Sequence, residues 1–281
     1  MYEEILYDVT DPVATITLNR PEKLNALTAR TLQEFRHALA DAERNEKVVG
    51  IVLTGAGRGF CSGVDMGALK AIQETGDISA MQSDTVFEAA DPGDKNMGPD
   101  FEAGYTYLLS IRKPILAAIN GACAGLGFSI AMFCDMRFAS ESAVFTTAFA
   151  QRGLVAEHGM SWVLPRLLGS ARALDILWSG RKFDGREAMQ LGVVNRVVAP
   201  EDLLKEAQEY IKSLAATCSP TSLMHIKQQV YRHLMQPLGE SMQETGQLMD
   251  ASVKRPDFEE GIASFVERRP PKFARITSED S

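Results

Sequence analysis

Two kinds of residue in this chain could do chemistry together: a carboxylate, and glycine turns that expose backbone N–H groups. The carboxylate is Glu157, in the stretch Arg152-Gly153-Leu154-Val155-Ala156-Glu157-His158-Gly159. The turns are Gly55-Ala56-Gly57-Arg58-Gly59-Phe60-Cys61-Ser62-Gly63-Val64-Asp65 and a second run carrying Gly121, Gly125 and Gly127. A turn at a strand end that opens a helix presents unpaired N–H groups, which hydrogen-bond a negatively charged oxygen. Two such turns converging would stabilise the charge that develops on a carbonyl oxygen as an enolate forms. The same glycines could instead serve close packing. Glu157 likewise has two readings, a proton carrier or a charge that complements the dipole of a helix running through Leu168. His158 reads as a surface or hydrogen-bonded structural histidine, because neighbours at a helix start point in different directions.

Other chemistries find less support. A dinucleotide fingerprint beginning at Gly55 lacks the immediate strand-to-helix turn, and no Gly-Lys-Ser or Gly-Lys-Thr is present for a phosphate loop. Cys61 and Ser62 have no identifiable base and orienting partner, which disfavours covalent catalysis. The four cysteines (61, 123, 134 and 218) lack zinc-like or CxxC spacing, so no metal site is expected and a reducing, cytoplasmic setting is.

The elements that must position these residues alternate. Residues 13–18 have strand composition and end at Asn19-Arg20-Pro21, and Thr28 opens a helical pattern through Phe35, Leu39 and Ala42. A second strand over residues 48–54 runs into the first glycine turn. A helix over residues 105–111 precedes Pro114, and a strand over residues 115–119 feeds the second turn. Strand, turn and helix in succession predict an α/β fold of repeated crossover units with ligand chemistry at the strand ends. After Pro200 the pattern is purely helical, over residues 201–216, 221–235, 239–253 and 257–267, so the boundary falls near residues 198–200. An acidic insert at about residues 73–102 carries Asp77, Asp84, Glu88, Asp91, Asp94, Asp100 and Glu102 against Lys95. It reads as a solvated loop or as a wall of a substrate pocket.

With 281 residues, 45% of them hydrophobic and 23% charged, the chain can bury a large core. Its longest apolar runs are broken by glycine or end at Asp135 and Arg137, so no transmembrane helix and no membrane association are expected. The start lacks the positive region and apolar run of a secretory signal. A formal net charge of -8 disfavours nucleic acid as a partner.

The motifs Asn19-Arg20-Pro21-Glu22-Lys23-Leu24-Asn25-Ala26-Leu27, Gly59-Phe60-Cys61-Ser62-Gly63-Val64-Asp65 and Ala118-Ile119-Asn120-Gly121-Ala122-Cys123-Ala124-Gly125-Leu126-Gly127 occur in that order. Cys134-Asp135 and Leu191-Gly192-Val193-Val194-Asn195 follow. The set resembles the crotonase superfamily, the enoyl-CoA hydratases and isomerases, over nearly the whole chain outside the acidic insert. The resemblance implies a spiral of repeated ββα units as catalytic domain over residues 1–198, and a helical trimerisation region over residues 199–281. Homotrimers or dimers of trimers are the implied assembly. The implied substrate is a CoA thioester, with no cofactor beyond the CoA that the substrate carries.

By the same resemblance, the thioester carbonyl would lie between the backbone N–H groups of Val64 and Leu126. Leucine replaces a common glycine at the second position, so its side chain must point away from the thioester. Lys23, Leu24 and Ala26 would border the CoA moiety, Asp65 and Met66 its adenine pocket, and Arg268 and Arg269 would reach CoA phosphates, across a subunit interface if need be. Family hydratases use two glutamates, at positions that here hold Ser129 and Phe149. Ser129 is left to hydrogen-bond substrate or the helix backbone, and Phe149 to line the pocket with Val155, Met160 and Trp162. Glu157 falls where some family isomerases carry their catalytic acid. Moving a double bond from C3 to C2 of an acyl-CoA takes one proton from C2 and returns it at C4, which one carboxylate can do. Isomerisation through Glu157 is therefore the leading reading, with hydration of unusual geometry and noncatalytic acyl-CoA binding as alternatives.

Overall fold

The computed structural model describes residues 1–77 and 90–277. The middle of the acidic insert, with Asp84 and Glu88, lies outside the described residues. Among the described residues, ten strands form two sheets. Strands β1 (Ile5–Thr10), β2 (Val13–Leu18), β3 (Gly50–Gly55), β5 (Ile115–Ile119), β7 (Met136–Ser140) and β10 (Arg196–Val198) lie side by side in that order. All neighbours in this sheet run parallel except the β1–β2 hairpin. Strands β4 (Gly59–Cys61), β6 (Ala122–Ala124), β8 (Val144–Thr146) and β9 (Phe183–Asp184) form the smaller sheet. From β3 onward, successive turns of the spiral send one strand to the large sheet, the next to the small sheet, and then a helix. β3 and β4 lead to α2 (Met66–Thr75), and β5 and β6 lead to α4 (Leu126–Phe133).

β3 and β5 are buried along their whole length, which is why they read as continuous apolar runs rather than alternating ones. Their residues still divide by face. Ile51, Leu53, Ile115, Ala117 and Ile119 enter the main core, whereas Val52, Leu116 and Ala118 pack with Val13 and Phe138 in a second core. That second core is closed by Leu203, Ala207 and Ile211 of α8 (Leu203–Thr217). The spacing of four residues puts those three on one stripe of the helix. The first helix after Pro200 is therefore part of the sheet's packing. Beyond it come α9 (Pro220–His233), α10 (Leu238–Ser252) and α11 (Pro256–Glu267).

Thr28 begins α1 (Ala29–Arg44) with a capping box, its hydroxyl accepting the Thr31 N–H while the Thr31 hydroxyl accepts the Thr28 N–H. The expected helix over residues 105–111 is shorter, α3 (Tyr107–Ser110), because Ile111 is extended ahead of Pro114. The described part of the acidic insert is anchored. Asp91 pairs with Arg36 and Lys95, Asp94 accepts from the Gln228 side chain, and the Gly93 N–H donates to Glu43.

Candidate active site

The first glycine turn is fastened to the loop that precedes α1. Asn25, buried and left-handed at φ 55°, accepts the Arg20 N–H at 2.9 Å and donates to the carbonyls of Ala56 at 2.9 Å and Gly59 at 2.7 Å. The Ser62 N–H donates to Leu24, the Leu27 N–H to Gly63 and the Asp65 N–H to Leu27, at 3.0, 2.7 and 2.9 Å. Between these bonds the Val64 N–H has no acceptor among the described residues. Leu126 begins α4, and the N–H of a first helical residue has no intrahelical partner; the first bond there runs from Ser129 to Gly125 at 3.0 Å. Glycine is required where the turns meet. Gly63 has φ +101°, and a Cβ there would stand 3.2 Å from the Ala124 carbonyl oxygen and 3.5 Å from the Leu126 nitrogen. Gly125 turns the chain into α4 at φ 51°, ψ -122°. The Leu126 side chain is buried in the main core.

Val64 and Leu126 border a cavity of about 440 Å³. Phe149, Arg152, Leu154, Glu157 and His158 line the same cavity. Glu157 lies in the turn before α5 (Met160–Leu168), whose cap is Gly159 and whose first turn holds no acidic residue. The dipole-complementing reading of Glu157 therefore gives way to a cavity-facing one. The half-buried carboxylate makes no hydrogen bond or ion pair among the described residues. His158 departs from expectation. Its left-handed φ of 52° brings it onto the same wall as Glu157, with its ring edge-on to Tyr105 at 5.5 Å. Burial lowers its pKa, against an opposing pull from the Glu157 charge.

Asp65 is the other carboxylate bordering the cavity, and it is engaged. It caps α2 by accepting the Gly67 N–H at 2.9 Å and pairs with Arg20 at 3.1 Å, which together hold its carboxyl below the ordinary range. Lys23, Ala26 and Met66 also border the cavity. Four expected positions do not. Leu24 packs over Gly59. Ser129 is fully buried and its hydroxyl donates to the Gly125 carbonyl at 3.3 Å, the backbone-bonded alternative. Arg269 is taken up by Glu260 and Glu267, and Arg268 follows α11 in a left-handed cap remote from the cavity's lining. Of the residues expected to give Glu157 an apolar setting, Phe149 lines the cavity. Val155 is exposed, Met160 is in the core, and Trp162 lines a different cavity. Cys61 is likewise absent from the wall, and burial pushes its thiol up to about 12, which removes it as a nucleophile at neutral pH. Thr147, Arg152 and Leu154 are wall residues without a motif to announce them. No group of His, Cys, Asp or Glu among the described residues could hold a metal ion.

A spiral of ββα turns that brings two unpaired backbone donors and one unengaged carboxylate to a single cavity defines a crotonase-like α/β enzyme. Residues 8–275 match the family described as Enoyl-CoA hydratase/isomerase. The chain is 33% identical over 272 residues to a probable enoyl-CoA hydratase of Rhizobium meliloti (strain 1021), covering 97% of this chain and 98% of that protein. It is 31% identical over 274 residues to the peroxisomal Delta(3,5)-Delta(2,4)-dienoyl-CoA isomerase of Arabidopsis thaliana, covering 97% of each. The crystal structure of an enoyl-CoA hydratase from Bacillus anthracis superposes with a TM-score of 0.85 at 25% identity, covering 97% of this chain and 99% of that one. The chain belongs to the enoyl-CoA hydratase/isomerase family, and it is an enzyme. No helix among its described residues is long and apolar enough to cross a membrane.

Proposed function

We propose that the enzyme moves the double bond of a 3-enoyl-CoA thioester to the 2-position, with Glu157 as the only proton carrier. The observation that carries this reading is the disposition of the cavity's two carboxylates. Asp65 is held by Arg20 and the Gly67 N–H, and Glu157, unengaged among the described residues, lines the same cavity as Val64 and Leu126. Glu157 takes the proton from C2, and the electron pair spreads onto the thioester oxygen as a dienolate. The two N–H groups and the positive end of α4 stabilise that oxygen. Glu157 then returns the proton at C4, leaving a conjugated C2–C3 double bond. The reaction needs no cofactor beyond the CoA of the substrate.

A second reading, hydration, draws on His158 as another acid–base group on the same wall and on the relative named a probable hydratase. The two are separated by following a 3-enoyl-CoA by conjugation absorbance and product mass, with the native enzyme and Glu157→Gln in parallel. Isomerisation gives conjugation without mass gain, lost in the variant. Hydration gives a product of a 2-enoyl-CoA heavier by one water. Binding without turnover of either ester would sink both.

Self-association through the C-terminal helices completes the proposal, supported by Val230, Leu238, Met242, Phe258 and Phe265, all exposed and apolar. A stable monomer in sedimentation would remove it. The four free cysteines, three of them buried, support a reducing cytoplasmic setting.

A further inference from the structure

Beside the Glu157 turn lies a second cavity of about 270 Å³, walled by Phe101, Leu109, Phe133, Trp162 and Met235. Its polar side chains are Asp100 and Thr106. The two cavities are neighbours through two adjacent pairs of residues. His158 faces the first cavity while Gly159 borders the second, and Tyr105 touches His158 while Thr106 borders the second. Gly159 packs so closely on Phe133 that a Cβ there would stand 3.0 Å from the ring's Cζ. At this point Tyr105, a lining residue of neither cavity, meets the His158 ring edge-on.

We propose that the second cavity takes the distal end of the substrate's acyl group, and that this end carries an apolar ring, a phenyl or a cycloalkyl. The inference rests on the acyl-CoA reading above and adds the class of acyl group. Size and lining both favour a ring. An apolar cavity of about 150 Å³ holds one benzene, so this one accommodates a ring and its adjoining methylenes. Three of its wall residues are aromatic and offer edges and faces for edge-to-face contact. A long alkyl tail would run on past the ring-sized space toward Asp100, whose carboxylate would lose water without gaining a partner. The acyl group reaches the cavity when the Tyr105 ring swings from the His158 ring, carrying its chain past the face of the turn that bears Glu157.

The test uses saturated thioesters, which bind without reacting. Dissociation constants of 6-phenylhexanoyl-CoA and hexanoyl-CoA are measured by calorimetry on the full chain, on Thr106→Trp and on Met235→Trp. Met235 is partly exposed at the rim, so the second variant fills the cavity without entering the core. The native chain is expected to bind the phenyl ester roughly tenfold or more tightly than hexanoyl-CoA, from burial of the ring. In the two variants the ratio falls toward one. Equal binding of the two esters by the native chain overturns the inference and leaves the acyl-CoA reading standing. A ratio retained in both variants overturns it as well, because the ring would then lie elsewhere. Binding of neither ester overturns the acyl-CoA reading and this inference with it.

Discussion

The two walls of the first cavity are built on opposite principles. The glycine-turn wall is over-determined: Asn25 makes three hydrogen bonds, Leu27 is bonded on both sides to the turn, and a Cβ on Gly63 would stand 3.7 Å from the Gly125 Cα. The Glu157 wall is a turn with an unengaged carboxylate, a left-handed histidine and one aromatic contact. Backbone donors must be in place before charge develops, because reorganising them during the reaction would cost what their stabilisation provides. A carboxylate that takes a proton at one carbon and delivers it to another has to move between two positions. Rigidity on one side and freedom on the other suit a proton shuttle across a fixed oxyanion.

The largest expected effect breaks the Glu157 wall alone. Glu157→Gln keeps the size and removes the base, and turnover of a 3-enoyl-CoA should fall about 10³-fold. Thermal unfolding should be unchanged, since the carboxylate has no partner to lose. A variant that retains turnover would move the chemistry to another residue. The next effect breaks the rigid wall alone. Gly63→Ala forces a Cβ toward the Leu126 nitrogen at a left-handed φ, and kcat should fall about 10²-fold as one N–H is displaced. Because the strain is local to the turn, binding of a saturated acyl-CoA should weaken less than kcat falls. Equal losses in both would indicate a collapsed site rather than a displaced donor.

His158 sharpens the comparison through pH. Burial lowers its pKa from the ordinary 6.5, with the Glu157 charge acting the other way, so the ring is neutral at pH 7 and protonates only below 6.5. Protonation puts a cation on the cavity lining next to Glu157, and kcat/KM should decline on the acid side. His158→Gln should cost less than about tenfold at pH 7.5 and should remove part of that decline. A profile identical to the native one would assign the acid limb to Glu157 itself.

Much of the rigid wall was legible in the sequence, and much less of the Glu157 wall. β2 and β5 coincide with the expected strands, residues 13–18 and 115–119, because Asn19-Arg20-Pro21 and Pro114 punctuate them, and burial on both faces makes the apolar run of β5 continuous. Thr28 announces α1 by its cap. The apolar stripe of α8 is visible as Leu203, Ala207 and Ile211, but a stripe does not name its partner, and here the partner is the sheet. Near Glu157, closeness in sequence misled. Met160 starts α5 and enters the core, Trp162 opens onto the second cavity, and Leu154 lines the first cavity instead. The orientation of His158 depends on a left-handed backbone that a histidine does not advertise. Ser129 has the residue type to bind a ligand, but α4 is buried on every side and the hydroxyl has only its own helix to bond.

The smallest effect concerns Asp65, the carboxylate placed between the two walls' functions. Its pKa is lowered first by the Gly67 N–H and then by Arg20, with desolvation opposing, so the folded chain holds it ionised more strongly than the unfolded chain does. The stabilisation is fully present above the ordinary carboxylate value of 3.8 and is lost as pH falls from there through the lowered folded value. The pair is partly exposed, so solvent screens it and Asp65→Asn should cost at most about 1 kcal/mol at pH 7. Urea midpoints of the native chain and the variant should differ slightly at pH 7 and draw together as pH falls below 3.8 through the lowered folded value. If the variant instead lost turnover as Glu157→Gln does, with its stability unchanged, Asp65 would be a second proton carrier. The cavity would then have two acid–base groups, and hydration would replace isomerisation as the better account of the site.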